Sequence, residues 1–312
     1  MILCHRPPYT PFMDDRFSRL PGVVPLDEAD WIVAPEDTAA QLAYRDQLLG
    51  EQPDAVVALL PEAQAAADEL LTLVLDALSR HSDWQVKANE VQRPGGTIVA
   101  LEHSAPLLSL GRLVSEDLFL MTRTVDEDVY RLSAGVLCFP AGWSLAEKLG
   151  QTMDAIHGPV PHYDLAVSRR TDKLMTAIRV GRPLLRYNWG IWDDPELHAP
   201  PAAEGIWKNR GLGDPAYYRT ERQTLLRLPD SRAIVFGIRT TVSPFNGFTA
   251  AEALAFDAEL ARQDTKTMLY KDGVDFFARA RTRLEQIASI LTRESALSYC
   301  FLGSVPVKSF TY

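Results

Sequence analysis

The spacing of apolar residues along this chain changes twice, and the changes divide it into three stretches. Within residues 38–49, and again after Pro61, apolar positions recur with a helical period. In the second run Ala67, Leu70, Leu71, Val74, Leu75 and Leu78 fall at i, i+3, i+4, i+7, i+8 and i+11, a wide stripe on one helix face. Gly50 is expected to stop the first helix, and Pro61 to sit in the first turn of the second.

From Thr97 the period drops to two. Residues 97–101, 118–123 and 130–138 read as short strands, the last with Tyr130, Leu132, Ala134, Val136 and Cys138 on one face. Residues 183–192 alternate as well. Leu185, Tyr187, Trp189 and Ile191 share an apolar face, with Tyr187 and Trp189 expected in the core; Arg186, Asn188 and Gly190 face the other way and suit a polar pocket wall. In residues 218–241 the turn-forming Pro229-Asp230-Ser231 separates two alternating runs, which predicts a hairpin. Its first strand carries Arg219, Glu221, Gln223, Leu225 and Arg227 on one face, and Thr220, Arg222, Thr224, Leu226 and Leu228 on the other.

Helical spacing returns at residues 165–178, with a break expected near Arg169 and Arg170, at 249–262, and at 274–291, where Phe276, Phe277, Ala280 and Leu284 form a stripe. The proline- and aromatic-rich residues 1–36 read as an extended arm wrapped on the body, and 193–217 as a long loop suited to a lid or a docking role. Helices, then strands, then helices predict an α+β fold with an antiparallel sheet flanked by helices, since a doubly wound sheet would alternate throughout. One domain is expected over residues 1–312: arm and helices 1–92, sheet core about 93–245, C-terminal helices about 246–295, and a tail 296–312 whose strand-like pieces have no assigned place.

Composition narrows the function. Hydrophobic residues make up 46% and charged residues 23%, ordinary for a soluble globular protein. A net charge of −9 argues against a surface that tracks phosphates, so no nucleic-acid partner is expected. No apolar run approaches the roughly 20 residues of a membrane span, and MILCHRPPYTPF lacks the apolar core of a signal peptide, which points to the cytoplasm. Cys4, Cys138 and Cys300 are far apart, so neither zinc nor a cysteine-ligated iron–sulfur cluster has a local signature. The dinucleotide, P-loop, nucleophile-elbow and H-E-x-x-H motifs are absent.

What remains is concentrated in two places. In the first, Ser144-Leu-Ala-Glu147 has capping-box spacing and Gly150 is placed to end the short helix that carries Lys148. Ile156-His157-Gly158-Pro159-Val160-Pro161 then holds one imidazole in a stiffened backbone. His157 is either a hydrogen-bonded histidine at a helix end or a ligand, most naturally the axial nitrogen on a haem iron. A single axial ligand leaves no spacing pattern, so spacing does not choose. In the second place, Glu221 and Arg222 are neighbours on a strand and must point to opposite faces. Either Arg219, Glu221, Arg222 and Arg239 form a buried ion-pair network, or a carboxylate holds a cationic substrate while arginines pair with acidic cofactor groups.

CFPAGWSLAEKLGQTMDAIHGPVPHY, LRYNWGIWDD and RTERQTLLRLPDSRAIVFGIRTTVSPF together resemble the haem-dependent oxidative N-demethylases, the haem subunits of dimethylamine-type monooxygenases. The similarity spans roughly residues 10–290. It implies a PAS-like antiparallel sheet binding haem b through a histidine, with oxygen activated at the iron to demethylate a small secondary amine, giving formaldehyde and a primary amine. Carried onto this sequence, His157 is the axial ligand and Glu221 the contact for the amine, with Arg222 beside it. Arg239, Asn188 and Lys148 become cofactor or pocket contacts. The absence of nucleotide and cluster motifs implies a flavin/iron–sulfur reductase partner that delivers electrons from NAD(P)H through FMN. Thr241 departs from the family pattern, where an aromatic residue is expected. The competing class is a non-enzymatic PAS-like sensor of haem or another small molecule, since fold does not fix function.

Overall fold

In the computed structural model the described residues are 1–18, 22–123, 129–158, 160–201 and 213–302, with side chains described except at 18 and 294–302. The helices are α1 (Asp15–Ser18), α2 (Thr38–Glu51), α3 (Pro53–Val56), α4 (Gln64–Ser79), α5 (Pro106–Leu113), α6 (Leu145–Lys148), α7 (Met153–His157), α8 (Leu165–Ala177), α9 (Ala250–Ala261), α10 (Thr265–Lys271) and α11 (Val274–Leu302). The strands are β1 (Val24–Pro25), β2 (Val57–Leu59), β3 (Gln85–Val86), β4 (Glu90–Gln92), β5 (Ile98–Ala100), β6 (Asp117–Arg123), β7 (Tyr130–Val136), β8 (Leu184–Trp192), β9 (Tyr217–Arg227) and β10 (Ile234–Pro244). No helix among the described residues is long and apolar enough to cross a membrane.

The fold is α+β. Seven strands form an antiparallel sheet in the order β1-β8-β9-β10-β6-β7-β2, with β3, β4 and β5 in a small separate sheet. The hairpin β9–β10 is its centre, paired over eleven residues from Ile234↔Arg227 to Pro244↔Tyr217. The sheet is not confined to residues 93–245: β1 and β2, from the N-terminal region, close its two edges.

Alternation gives the sheet two faces with different covers. On the first, Phe119, Met121, Leu132, Leu225, Ile234 and Ile238 pack against Leu145 of α6, Met153 and Ile156 of α7, and Met175 of α8. On the second, Leu118, Leu120, Ala134, Val136, Leu226 and Val235 pack against the buried stripes of α2, α4 and α5. Farther along that second face Ile191 and Tyr218 meet Phe256 of α9 and Phe276, Phe277 and Leu284 of α11. The arm lies over the same region, with Phe12 against Phe256 at 4.9 Å and the Cys4 N–H donating to the Val242 carbonyl at 2.9 Å.

Several expectations need correction. Tyr130 and Leu132 do not share a face with Ala134, Val136 and Cys138: the pairing skips Ser133 between Met121↔Leu132 and Leu120↔Ala134, and this bulge turns the strand over. Gly50 does not end α2, which runs on to Glu51 and stops at Gln52, ahead of Pro53. The helix α8 passes unbroken through Arg169 and Arg170, and its Leu165 is exposed. Four short helices, α1, α3, α5 and α10, stand where the sequence reading placed none. The tail is helical as far as Leu302, and 303–312 lie outside the described residues. Tyr187 and Trp189 are half-buried.

Candidate functional site

Where the first face meets α6 and α7, its apolar wall stays partly open. Ala58, Trp143, Met153, Ile156, Leu184 and Phe236 pack on the buried cluster but are only half-buried themselves. The route into this region starts at Asp117, whose carboxylate accepts from the backbone N–H groups of Cys138 (2.7 Å) and Phe139 (3.0 Å) and from the fully buried Arg45 at 2.6 Å. That takes up the two N–H groups that would otherwise extend β7, so the chain turns away at Pro140. The Ser144 hydroxyl then caps α6 by accepting from the Glu147 N–H at 3.4 Å, and Gly150 takes φ +77° after it, as the spacing predicts.

The single turn α7 delivers His157. Thr152 caps it by accepting from the Ala155 N–H at 3.3 Å. The His157 Nδ1 lies 2.9 Å from the Met153 carbonyl. A carbonyl only accepts, so Nδ1 carries the proton and the neutral ring keeps a bare lone pair on Nε2. Burial lowers the pKa of this imidazole from its ordinary value, and the cations Arg186 and Lys148 push the same way, against the Met153 bond and Asp154. Tyr163 fixes the ring's plane: it stacks on the imidazole at 5.1 Å and 21°, and its hydroxyl donates to Asp154 at 3.0 Å.

The polar part of the first face comes from β8 and β9. Arg186 pairs across with Gln223, and Asn188 with Glu221. The Glu221 Oε2 accepts from Asn188 Nδ2 at 3.2 Å and from Gln223 Nε2 at 2.8 Å. Arg186 makes no hydrogen bond or ion pair among the described residues; its Nε is shielded from solvent, and burial lowers its pKa against the opposing pull of Glu221. Two further buried polar atoms lack partners on this face, Gln223 Oε1 and Thr240 Oγ1, the latter directly across from Glu221. Lys148, at the end of α6, is half-buried and faces His157 closely enough to act on its titration.

Lys271 reaches the same neighbourhood from α10. Its Nζ donates to the Trp189 carbonyl at 2.8 Å and sits 4.2 Å from the Trp189 ring centroid. Burial depresses its pKa to about 8, partly offset by Asp272, Glu221 and Glu259. The second histidine of the motif, His162, instead ties the loop after α7 to α10 through Asp264 at 2.9 Å.

The structure thus brings His157, Lys148, Asn188 and Glu221 to one side of the sheet and sets Arg222 and Arg239 on the other. Arg222 donates to the carbonyls of Trp31 (3.1 Å) and Asp30 (2.5 Å). Arg239, across the hairpin from it, bonds Asp37 at 2.6 Å, Thr38 at 3.3 Å and the Gln41 side chain. The expected network of Arg219, Glu221, Arg222 and Arg239 is therefore not one network: Arg219 goes to the carbonyls of Phe139 (2.8 Å) and Leu197 (3.2 Å), and the acid that neutralises Arg239 comes from the start of α2. Thr241 lies buried on the second face as well, away from His157.

Tyr163, Trp143 and Lys271 escaped the sequence reading. Tyr163 and Trp143 stand inside the quoted motif, where ring stacking leaves no periodic trace; Lys271 sits on a short helix that carries no buried apolar stripe of its own. The central part of the 193–217 loop lies outside the described residues.

Over residues 22–278 the chain matches the family model described as haem-dependent oxidative N-demethylase, alpha subunit-like.

Proposed function

From the premise that the chain belongs to the haem-dependent oxidative N-demethylase, alpha-subunit-like family, we propose that it is the haem-carrying oxygenase subunit of an N-demethylating monooxygenase. The observation that carries this reading is His157: an imidazole held by Nδ1, stacked on Tyr163, and kept neutral with Nε2 free. A histidine so held would suit haem iron, since a ligating histidine donates its other N–H to a fixed acceptor. The surroundings fit haem b. The half-open wall of Trp143, Phe236, Met153 and Ile156 offers an apolar surface, and Lys148, which faces His157, is assigned to a haem propionate.

Bound haem would supply an iron at which dioxygen is activated. With it, one atom of dioxygen would end in a carbinolamine at the N-methyl group and the other in water, two electrons and two protons being supplied by the reductase. The carbinolamine so formed separates into formaldehyde and the demethylated amine. The chain's own contribution is to bind and orient. Glu221, whose Oε2 is fixed by Asn188 and Gln223, holds the protonated amine, because a cation entering an apolar pocket needs a counter-charge or must lose its proton. Arg222 and Arg239 enter this scheme from behind, bracing the strands that carry Glu221. Arm, PAS-like sheet and C-terminal helices are taken as one haem-binding domain over residues 1–312. A small secondary amine carrying an N-methyl group is the substrate, and a reductase with FMN and an iron–sulfur cluster delivers electrons from NAD(P)H.

The test is the visible spectrum of the purified chain before and after haem addition, beside His157→Ala. A Soret band that is lost or shifted in the variant is expected. The absence of a Soret band in the wild type after haem addition rejects the oxygenase reading and favours a small-molecule sensor of the same fold.

A further inference from the structure

Arg186 and Glu221 stand a diagonal apart on neighbouring strands of one sheet face, since Arg186 pairs with Gln223 and Asn188 with Glu221. At such diagonal positions, about 7–8 Å between backbones, a long arginine side chain reaches a glutamate with ease. Yet no ion pair joins them. Glu221 is turned toward Asn188 and Gln223, and Arg186 is left without a partner among the described residues, its Nε shielded from solvent. An unpaired, partly buried guanidinium is costly, and arginine cannot relieve the cost by shedding its proton. Two opposite charges kept side by side but apart form a receptor for a dipolar ion.

We propose that the substrate of this site is a zwitterionic N-methyl amino acid, with its ammonium on Glu221 and its carboxylate on Arg186. The inference rests on the N-demethylase reading and sharpens it. A plain dialkylamine would satisfy Glu221 and leave Arg186 unpaired, whereas an amino acid places both charges within one small molecule. The oxidation is the one written above, with N-methylglycine yielding glycine and formaldehyde. The depressed pKa of Arg186 agrees with a cation awaiting an anionic partner.

The experiment is a thermal-shift and Soret titration of the haem-loaded full chain with N-methylglycine and with dimethylamine. N-methylglycine is expected to half-saturate at a concentration at least about tenfold lower, and Arg186→Gln to abolish that preference by weakening N-methylglycine, with dimethylamine, whose ammonium loses a neighbouring cation, bound no more weakly than by the wild type. Arg186→Lys, which keeps the charge, should retain part of the preference and guards against a folding defect in the first variant. Equal or tighter binding of dimethylamine by the wild type overturns the proposal. So does a variant that loses haem occupancy with the preference unchanged, because Arg186 then serves the haem carboxylates. A wild type that takes up no haem defeats the underlying reading separately, and the thermal-shift arm still reports which amine the chain prefers.

Discussion

Arg239 and Asp37 are both fully buried and 2.6 Å apart, so neither has water to fall back on. Removing one member of such a pair strands the other charge, which typically costs about 3–5 kcal/mol. Arg239→Met should lower the unfolding free energy by that order in urea titrations, while adding Asp37→Asn should recover part of the loss; a change of well under 1 kcal/mol would contradict the pairing. The site histidine makes a different prediction. His157 titrates below its ordinary value because burial disfavours the imidazolium. The unfolded chain therefore binds the proton first as pH falls through the usual histidine range near 6.5, so this group subtracts stability on acidification and contributes none above it. Haem ligation should accordingly stay level as pH drops to about 6.5 and weaken only below that. A Soret titration whose midpoint lies at or above 6.5 would remove the buried, neutral imidazole from the account.

Elements show where the sequence was legible. The hairpin β9–β10 was, because eleven paired residues alternate without interruption and Pro229–Ser231 marks the turn; so Glu221 and Arg222 could be put on opposite faces before any coordinates. The capped helix α6 and the glycine after it were legible for the same local reasons. What could not be read was long-range. Ser133 looks like any polar strand residue, and nothing local says that its bulge sends Leu132 and Ala134 to opposite faces. Asp37, Gln41 and Asp117 gave no sign that they answer Arg239 and Arg45, because buried charge partners keep no fixed spacing. α10 is the clearest loss, since it carries Lys271 to the exposed edge of β8. Its pKa of about 8 means that between about 8 and the ordinary lysine value near 10.4 the unfolded chain holds a proton that the folded chain has released. Stability from this group therefore rises with pH across that window. Lys271→Met should flatten the rise relative to wild type in urea midpoints measured from pH 7.5 to 10. An identical slope in both proteins would show that Lys271 is solvated.

At the scale of the whole molecule the net charge of −9 bears on how electrons arrive. If a reductase supplies them, a basic docking face on that partner is expected, and attraction between opposite surfaces speeds encounter most at low salt. Turnover at limiting reductase should fall several-fold between about 20 and 300 mM salt, a range over which the screening length shrinks from roughly 20 to 6 Å, while N-methyl substrate binding barely moves. Turnover by the isolated chain with NADPH alone would contradict the need for a partner. The arm has a consequence of another kind. Cys4 bonds to Val242, and the half-buried Phe12 packs on Tyr218 of β9 and Phe256 of α9, so the arm is held by residues that follow it far along the chain. Contacts that join such distant points raise the contact order and slow folding. During synthesis β8, β9 and β10 must emerge before residues 4–12 have anywhere to settle. Until then the second face of the sheet is uncovered around Tyr187, Trp189 and Tyr218, and that interval is when a nascent chain of this protein is most exposed to aggregation and most dependent on chaperones.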